Sequence, residues 1–207
     1  MTDYLLQSAR PSYWPHIDLT ERVHRAYAER HGLKYVAMRQ TGPFTTFPGW
    51  DKLPLLIDLT GRPDTGFVFY VDADAMAVGN TDPRTALGER LVGMSRHTWM
   101  KHPSITTPTS VNAGVIFLRA CPQVHDWLEF VLDNAQGVWP GYEQTIMNES
   151  LEAPGWAGKY VSLPHIWNST ACLGHPADCE IRAWHGGGSE GERLARMREE
   201  MASRGLS

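Results

Sequence analysis

The sequence contains no apolar stretch that approaches the ~20 residues needed for a membrane-spanning helix. Its first ten residues, MTDYLLQSAR, also lack the basic leader and the apolar segment of a secretory signal. We therefore expect a soluble protein without a membrane span, located in the cytoplasm.

Positive charge is not in excess, because 19 basic and 23 acidic residues give a formal net charge of −4. Proteins that bind nucleic acid through a general electrostatic field are usually strongly basic. The composition excludes such a field over the whole chain and leaves room only for a local basic patch.

Cysteine is scarce, with three residues at positions 121, 172 and 179. The number is odd, and the spacing of the last two fits no common zinc pattern. We expect reduced thiols, with Cys121 near the start of a helix. A disulfide between Cys172 and Cys179 is the alternative.

Linker-like segments, internal repeats and low-complexity tracts are also missing from the 207 residues. A chain of this length can bury roughly 70% of the surface that its unfolded form exposes. We expect one domain over residues 1–207, closed by a charged, solvent-facing helix at about 190–204.

Strand and helix patterns alternate along the chain. An Asp18–Glu21 capping box and a stop at Gly32 are predicted for the first helix. This order predicts an α/β fold with a mostly parallel central sheet flanked by helices on both faces. The predicted strands are 3–9, 34–38, 66–74, 90–96, 112–120, 159–163 and 180–184, and the predicted helices are 16–32, 51–61, 121–137, 141–151 and 189–205.

Two aspartates follow the apolar run in FVFYVDADAMAVG, residues 67–79. If strand geometry persists through Asp74, Asp72 and Asp74 point the same way, about 6.5 Å apart. Ligands of open parallel sheets bind beyond the carboxyl ends of strands. Paired carboxylates at this position suit Mg²⁺ or Mn²⁺, which also bind phosphate oxygens.

Two other interpretations of this D-x-D stay open. One is an acidic turn that faces solvent after the strand. The other is the D-x-D-x-[Thr/Val] motif of haloacid dehalogenase-type phosphatases, although Met76 stands at the Thr/Val position and the motif lies a third of the way along the chain.

Seven segments follow one another over nearly the whole chain: YAERHGLKYV, PGWDKLPLLIDL, FYVDADAMAV, VNAGVIFLRA, YEQTIMNE, LPHIWNS and RAWHGGG. In this order they resemble segments of GT-A glycosyltransferases. The chain resembles glycosyltransferase family 34, the galactosyl/xylosyltransferase group, with the retaining enzymes of family 8 as the next most similar group.

The resemblance implies a GT-A fold and transfer of a hexose or pentose from a nucleoside-diphosphate sugar, usually UDP-linked, with retention at the anomeric carbon. It also implies Mn²⁺, or Mg²⁺, bound by Asp72, Asp74 and a late histidine, His185. Gly186 and Gly187 follow that histidine, and glycines allow backbone N–H groups to approach phosphate closely. Asp72 and these glycines are therefore expected to bind the donor.

Four more residues are expected at this site. Lys52 at a helix start is expected to approach the diphosphate, with a surface lysine as the alternative. Asn112 precedes two small residues and offers a donor and an acceptor to a sugar. Glu143 and Gln144 diverge by about 100° on a helix. We expect Gln144 near the anomeric carbon and Glu143 as a supporting contact, although family 34 often has Asp there.

The acceptor substrate is not specified by the sequence, and a glycan, small molecule, protein or modified DNA fits. Residues 97–109, Trp167, Asn168 and Trp184 are candidates for its site. A catalytically inactive module that binds a nucleotide or glycan is one rival. A nucleotidyltransferase is the other, but it needs a Gly-rich basic loop after the first strand, where residues 8–15, SARPSYWP, have one Arg and no Gly.

Overall fold

The computed structural model describes residues 1–42, 45, 48–96, 111–134, 143–170, 178–184 and 188–206. The first part of the chain, residues 2–71, has the predicted order of strand, helix, strand, helix and strand. The strands are β1 (Thr2–Ala9), β2 (Lys34–Arg39), β3 (Thr65–Val71), β4 (Ala75–Ala77), β5 (Val92–Arg96), β6 (Val111–Arg119), β7 (Tyr160–Leu163), β8 (Ser169–Thr170) and β9 (Ile181–Ala183). The helices are α1 (Trp14–Arg30), α2 (Lys52–Thr60), α3 (Pro83–Leu87), α4 (Pro122–Asp133), α5 (Glu143–Leu151) and α6 (Glu190–Ser203).

The main sheet has the strand order β2-β1-β3-β6-β5-β7. All neighbouring pairs except those of β6 are parallel, and β6 runs antiparallel between β3 and β5. The predicted mostly parallel sheet is therefore confirmed. Because β6 is reversed, its first residues lie at the edge of the sheet where β1, β2, β3, β5 and β7 end. A small second sheet has the order β4-β9-β8.

Strand β3 is buried on both faces of the main sheet. Val68 and Tyr70 pack with α2, α4 and α5 on one face, whereas Phe67, Phe69 and Val71 pack with α1, α3 and the small sheet on the other. Side chains alternate across a strand, so a strand covered on both sides is apolar at every position. Burial on both faces therefore explains the apolar run before the aspartates.

The predicted capping box of the first helix is wrong. The helix begins at Trp14, with Pro15 in its first turn, so Asp18 and Glu21 lie inside it. Both carboxylates pair with Arg39 at the end of β2, at 2.5 and 2.8 Å. The acidic groups that the local pattern assigned to the helix end form ion pairs with a residue of another element.

The terminal helix α6 is exposed to solvent on only part of its surface. Met197 and Met201 are buried against Met76 and Trp184. The helix therefore packs on the segment that follows the two aspartates, which the charged sequence did not predict. Gly32, at φ +65°, follows α1 as predicted.

Other local features follow the sequence. Cys121 precedes α4 as its N-cap residue, and Cys121 and Cys179 are free thiols. Cys172 lies outside the described residues. None of the helices in the described ranges combines the length and the apolar composition needed to span a membrane.

A buried polar network holds both sides of the turn after β3. Gln7 Nε2 donates to the carbonyl oxygen of Asp72 at 3.3 Å, and its Oε1 bonds to His24 Nδ1 and to the Tyr35 hydroxyl, each at 2.8 Å. His24 Nε2 accepts from the Ala77 amide at 3.0 Å. His24 is therefore neutral, with its proton on Nδ1.

We predict that His24 makes the protein less stable in acid. Burial lowers the pKa of His24 from 6.5 to about 3. Below pH 6.5 the unfolded chain binds a proton that the folded chain does not, so the unfolding free energy falls as the pH decreases toward 3. In urea titrations, the wild type should lose about 2 kcal/mol more than His24→Gln between pH 7 and pH 5. Equal losses in the two proteins would contradict this assignment.

Candidate active site

The two aspartates lie in a turn at the carboxyl end of β3. The strand ends at Val71, so strand geometry does not persist through Asp74. The Asp72 amide donates to the carbonyl oxygen of Gly114 at 2.8 Å, and the carbonyl oxygen of Asp74 accepts from the Trp184 amide at 2.9 Å. Backbone bonds to β6 and to the end of β9 therefore fix both residues.

Lys52 lies beneath this turn, at the start of α2, and is only 3% exposed. Its Nζ is 2.7 Å from the carbonyl oxygen of Ala113, 3.1 Å from Asp72 Oδ1 and 3.2 Å from Glu143 Oε1. An ammonium group has three protons, and each of them has an acceptor here. Lys52 thus holds two carboxylates, and its predicted approach to a diphosphate stays a prediction.

The charges of this cluster stabilise one another. Burial acts to lower the pKa of Lys52, but the carboxylates of Asp72 and Glu143 outweigh it, so the pKa is raised and the lysine stays charged. The Tyr70 hydroxyl donates to Asp72 Oδ1 at 2.8 Å. Burial raises the pKa of Tyr70 well above its ordinary value, so this hydroxyl remains a donor.

The surroundings of Asp74 disfavour its negative charge. Burial, and then the negative charge of Asp72, raise its pKa to about 6, against the opposing effect of Arg193. Arg193 reaches the site from α6, with its Nε 3.7 Å from Asp74 Oδ2 and its guanidinium over the Tyr13 ring. The pair of carboxylates thus favours added positive charge.

Asn112 lies beside Asp72 at the start of β6. Its Oδ1 accepts from the Gly114 amide at 2.7 Å and from Asn168 Nδ2 at 2.6 Å. A Cβ atom at position 114 would be 2.8 Å from Asn112 Oδ1 and 3.0 Å from Asp72 Oδ2. The glycine therefore permits this close approach of amide and carboxylate.

The first residues of α5 complete the cluster. Glu143 is 6% exposed and turns toward Lys52, whereas Gln144 Oε1 accepts from the Ala113 amide at 3.1 Å. A Cβ atom at Gly49 would be 2.8 Å from Glu143 Oε2, so the glutamate also depends on a glycine. Glu143 and Gln144 thus have different partners. Gln144 bonds directly to Ala113 near the start of β6, and Glu143 is linked to the same residue through Lys52.

A cavity of about 210 Å³ opens in front of the aspartates. It lies at the carboxyl ends of β1, β2 and β3, where α/β proteins bind ligands. Arg10, which directly follows β1, is paired with Asp51. The lining residues are Ser8, Ala9, Arg10, Ser12, Tyr13, Gln40, Gly49, Asp51, Tyr70, Asp72, Ala73, Asp74 and Glu190.

Sequence reasoning missed Arg10, Gln40, Asp51 and Arg193. Arg10 carried one usable signal, because it comes directly after a predicted strand that ends at the ligand-binding edge, and Gln40 lies two residues after the next predicted strand. Asp51 and Arg193 have roles that depend on long-range contacts, for which the sequence offered no local signal.

Some predicted site residues lie outside the described residues, namely His185, Gly186, Gly187 and the segment 97–109. Trp167 and Trp184 are core residues, with exposures of 3% and 4%. Within the described part of the chain, no group of three or more His, Cys, Asp or Glu side chains could hold a metal ion. Asp72 and Asp74 place two carboxylates in the lining of the cavity.

Comparison with sequences gives no match, either among protein-family models or among curated proteins. Solved structures do match. A glycosyltransferase involved in the glycosylation of the major capsid of PBCV-1 superposes with a TM-score of 0.76 at 17% identity, over 96% of this chain and 100% of that chain. The galactosyltransferase LgtC, in complex with donor and acceptor sugar analogs, gives 0.57 at 13% identity, over 98% and 99%. GlyE of Streptococcus pneumoniae TIGR4, also a glycosyltransferase, gives 0.55 at 13% identity, over 100% and 64%.

At these identities the comparison establishes a common fold. This chain has the GT-A fold of glycosyltransferases, as the sequence resemblance implied. The cavity, the two aspartates and the buried lysine are therefore features of a GT-A scaffold.

We predict that Lys52→Met destabilises the protein by about 3 kcal/mol, because removing one partner of a buried ion pair leaves its carboxylates uncompensated. Urea unfolding at pH 7 measures the loss. Adding Glu143→Gln to Lys52→Met should restore part of it, since one of the two charges is then gone. The exposed Lys34→Met should change stability by less than about 0.5 kcal/mol. Equal effects at positions 34 and 52 would show that the buried cluster contributes no special stability.

Proposed function

We propose that this protein is a metal-dependent glycosyltransferase. It transfers a hexose or pentose from a nucleoside-diphosphate sugar, with UDP as the expected nucleotide, to a hydroxyl of an acceptor substrate. One observation carries the proposal: Asp72 and Asp74 line a cavity at the carboxyl ends of three parallel strands, in a fold shared with glycosyltransferases.

The charge of the cavity supports a requirement for a cation. Arg10 is already paired with Asp51, and Asp72, Asp74 and Glu190 add further negative charge to the lining. A nucleoside diphosphate brings at least two more negative charges, and like charges at close range repel strongly. A divalent cation between the aspartates and the diphosphate resolves this conflict.

The chemistry of the donor set fits such an ion. Mn²⁺ and Mg²⁺ prefer carboxylate and phosphate oxygens, and both aspartates offer carboxylates. Asp72 and Asp74 would hold the ion together with His185, and Gly186 and Gly187 would face the diphosphate. The bound ion would stabilise the negative charge that develops on the leaving nucleotide, where each 1.36 kcal/mol gives a tenfold increase in rate.

The chain's own residues orient the reactants. Asn112 and Gln144 lie at the start of β6 and of α5, where their amides are fixed by neighbouring backbone groups. We assign them to hydroxyl groups of the donor sugar. Lys52 contributes through Asp72 and Glu143, whose carboxylates it holds in place.

Retention of configuration is part of the proposal. A double displacement needs a free carboxylate at the anomeric carbon, but Glu143 is buried and paired with Lys52. We therefore favour attack of the acceptor hydroxyl on the face from which the phosphate departs, with a phosphate oxygen taking the proton. Glu143 then supports the site through Lys52.

We predict metal-dependent binding of UDP. Calorimetric titration of UDP into the wild type should give measurable binding with Mn²⁺ and much weaker binding without it, because the ion offsets the repulsion between aspartates and diphosphate. A double variant, Asp72→Asn and Asp74→Asn, should lose the dependence on Mn²⁺ while its circular dichroism spectrum is kept.

Asp58→Asn with Asp64→Asn is the matched control, since both aspartates are exposed and lie outside the cavity. It should bind UDP like the wild type. Metal-independent binding in all three proteins would contradict the metal site. Tight metal-dependent binding without hydrolysis of any nucleotide sugar or transfer to any acceptor would instead favour a nucleotide-binding module that has lost catalysis.

The stereochemistry of the product gives a separate prediction. With an α-linked donor, the first product observed by proton NMR should keep the α configuration at the anomeric carbon. A β-linked initial product would contradict same-face attack and would require a general base that activates the acceptor hydroxyl from the opposite side.

A further inference from the structure

A second cavity, of about 360 Å³, lies at the carboxyl ends of β5 and β7. It is lined by Arg96, Ser162, Leu163, Pro164 and His165. Its size falls in the range of sites for small molecules. Among the described residues that line it, Arg96 and His165 carry nitrogen donors and none is acidic, so this part of the lining differs in character from the acidic cavity in front of the aspartates.

Arg96 and His165 make no side-chain hydrogen bond or ion pair with another described residue, whereas eight arginines of the described chain are paired with a carboxylate. The charge of Arg96 acts on the neighbouring Tyr160 hydroxyl, whose pKa burial raises and Arg96 lowers. A guanidinium offers five N–H donors in a planar fork that matches the oxygens of phosphate or carboxylate. The paired arginines include Arg10, Arg25, Arg39, Arg62, Arg84, Arg182, Arg193 and Arg204.

Strand order fixes where this cavity lies relative to the proposed reaction. Along the ligand-binding edge of the sheet, the ends of β2, β1 and β3 form the acidic cavity, the start of β6 comes next, and the ends of β5 and β7 form the second cavity. In the register of β5 and β6, Arg96 pairs with Val111 and Ser95 with Asn112. The second cavity is thus one residue away from Asn112 and lies across β6 from the aspartates.

The opposite wall is linked to the same asparagine. His165 begins the short 3-10 turn His165–Asn168, and Asn168 at its end donates to Asn112 Oδ1 at 2.6 Å. The two walls of the second cavity are therefore linked to Asn112 through Ser95 and through Asn168. A molecule in this cavity would approach the sugar from the side away from the nucleotide.

We propose that this cavity binds an anionic group, a phosphate or a carboxylate, on the acceptor substrate. The inference rests on the proposed function, because it treats the neighbouring acidic cavity as the donor site. Arg96 binds the group through paired N–H donors, and His165 adds a further donor. The acceptor class is therefore a hydroxyl compound with a negatively charged oxygen group, and neutral glycans are poor substrates.

The first test measures anion binding alone, on the full chain. Inorganic phosphate is titrated while NMR follows the Arg96 guanidinium and the His165 ring. Saturable shifts are expected in the wild type, with affinity weakened about tenfold or more in Arg96→Gln, because hydrogen bonds to charged groups contribute strongly. Arg22→Gln, an exposed arginine on α1, should bind like the wild type. Equal phosphate affinity in all three proteins would overturn the proposal.

The second test compares acceptors in matched sets: a neutral sugar, its phosphate monoester and its uronic acid. The charged members should have a kcat/KM at least about tenfold higher than the neutral one, and Arg96→Gln should remove that advantage. Whether the phosphate or the carboxylate gains more identifies the source of the anion. A preference for the neutral sugar, or an equal loss for all members in the variant, would overturn the inference.

Failure of this inference can be told apart from failure of the proposed function. The Arg96→Gln variant should still bind UDP in a Mn²⁺-dependent manner, because Arg96 lies outside the donor cavity. It should also still hydrolyse the donor slowly, as the wild type does. If UDP binding is absent from every protein, the proposed function fails, and the phosphate titration still decides whether Arg96 forms an anion site.

Discussion

One buried ammonium group connects the parts of this site. Lys52 comes from α2, and its three acceptors belong to β6, to the turn after β3 and to α5. A cation enclosed in this way is favourable only while every proton has a partner. The positions of Asp72 and Glu143 are therefore linked, and the reversal of β6 is what brings all of these elements to one edge of the sheet. The cavity in front of the aspartates is therefore shaped by an interaction that a bound ligand need not touch.

The features that sequence could predict are those encoded by short-range pattern. The continuous apolar run of β3 predicts a strand covered on both faces, and its abrupt end predicts Asp72 and Asp74 at a ligand-binding edge. Small residues after Asn112 predict close approach, and Gly114 shows why, since a Cβ atom there would contact both Asn112 and Asp72. Each of these follows from the local geometry of a strand or a turn.

The features that could not be predicted depend on partners distant in sequence. Glu21 resembles part of a helix cap but pairs with Arg39 at the end of strand β2. Lys52 looks like a surface lysine at a helix start, yet it is buried because α5 delivers Glu143 to it. Arg193 lies in a charged helix and meets Asp74 only because Met197 packs that helix onto the core. Hydrophobic packing decides which charges meet, and a linear pattern of charges does not contain that information.

The contact between Glu143 and Gly49 has an evolutionary consequence. The glutamate is one methylene longer than aspartate, and its carboxylate fills the space where a side chain at position 49 would begin. Because Lys52 holds that carboxylate, the glutamate cannot move aside without breaking the ion pair. A side chain at position 49 would therefore require the Glu143 carboxylate, which Lys52 also holds, to move. We expect these two positions to change together among the relatives of this chain, because a shorter acid at position 143 would leave more room at position 49.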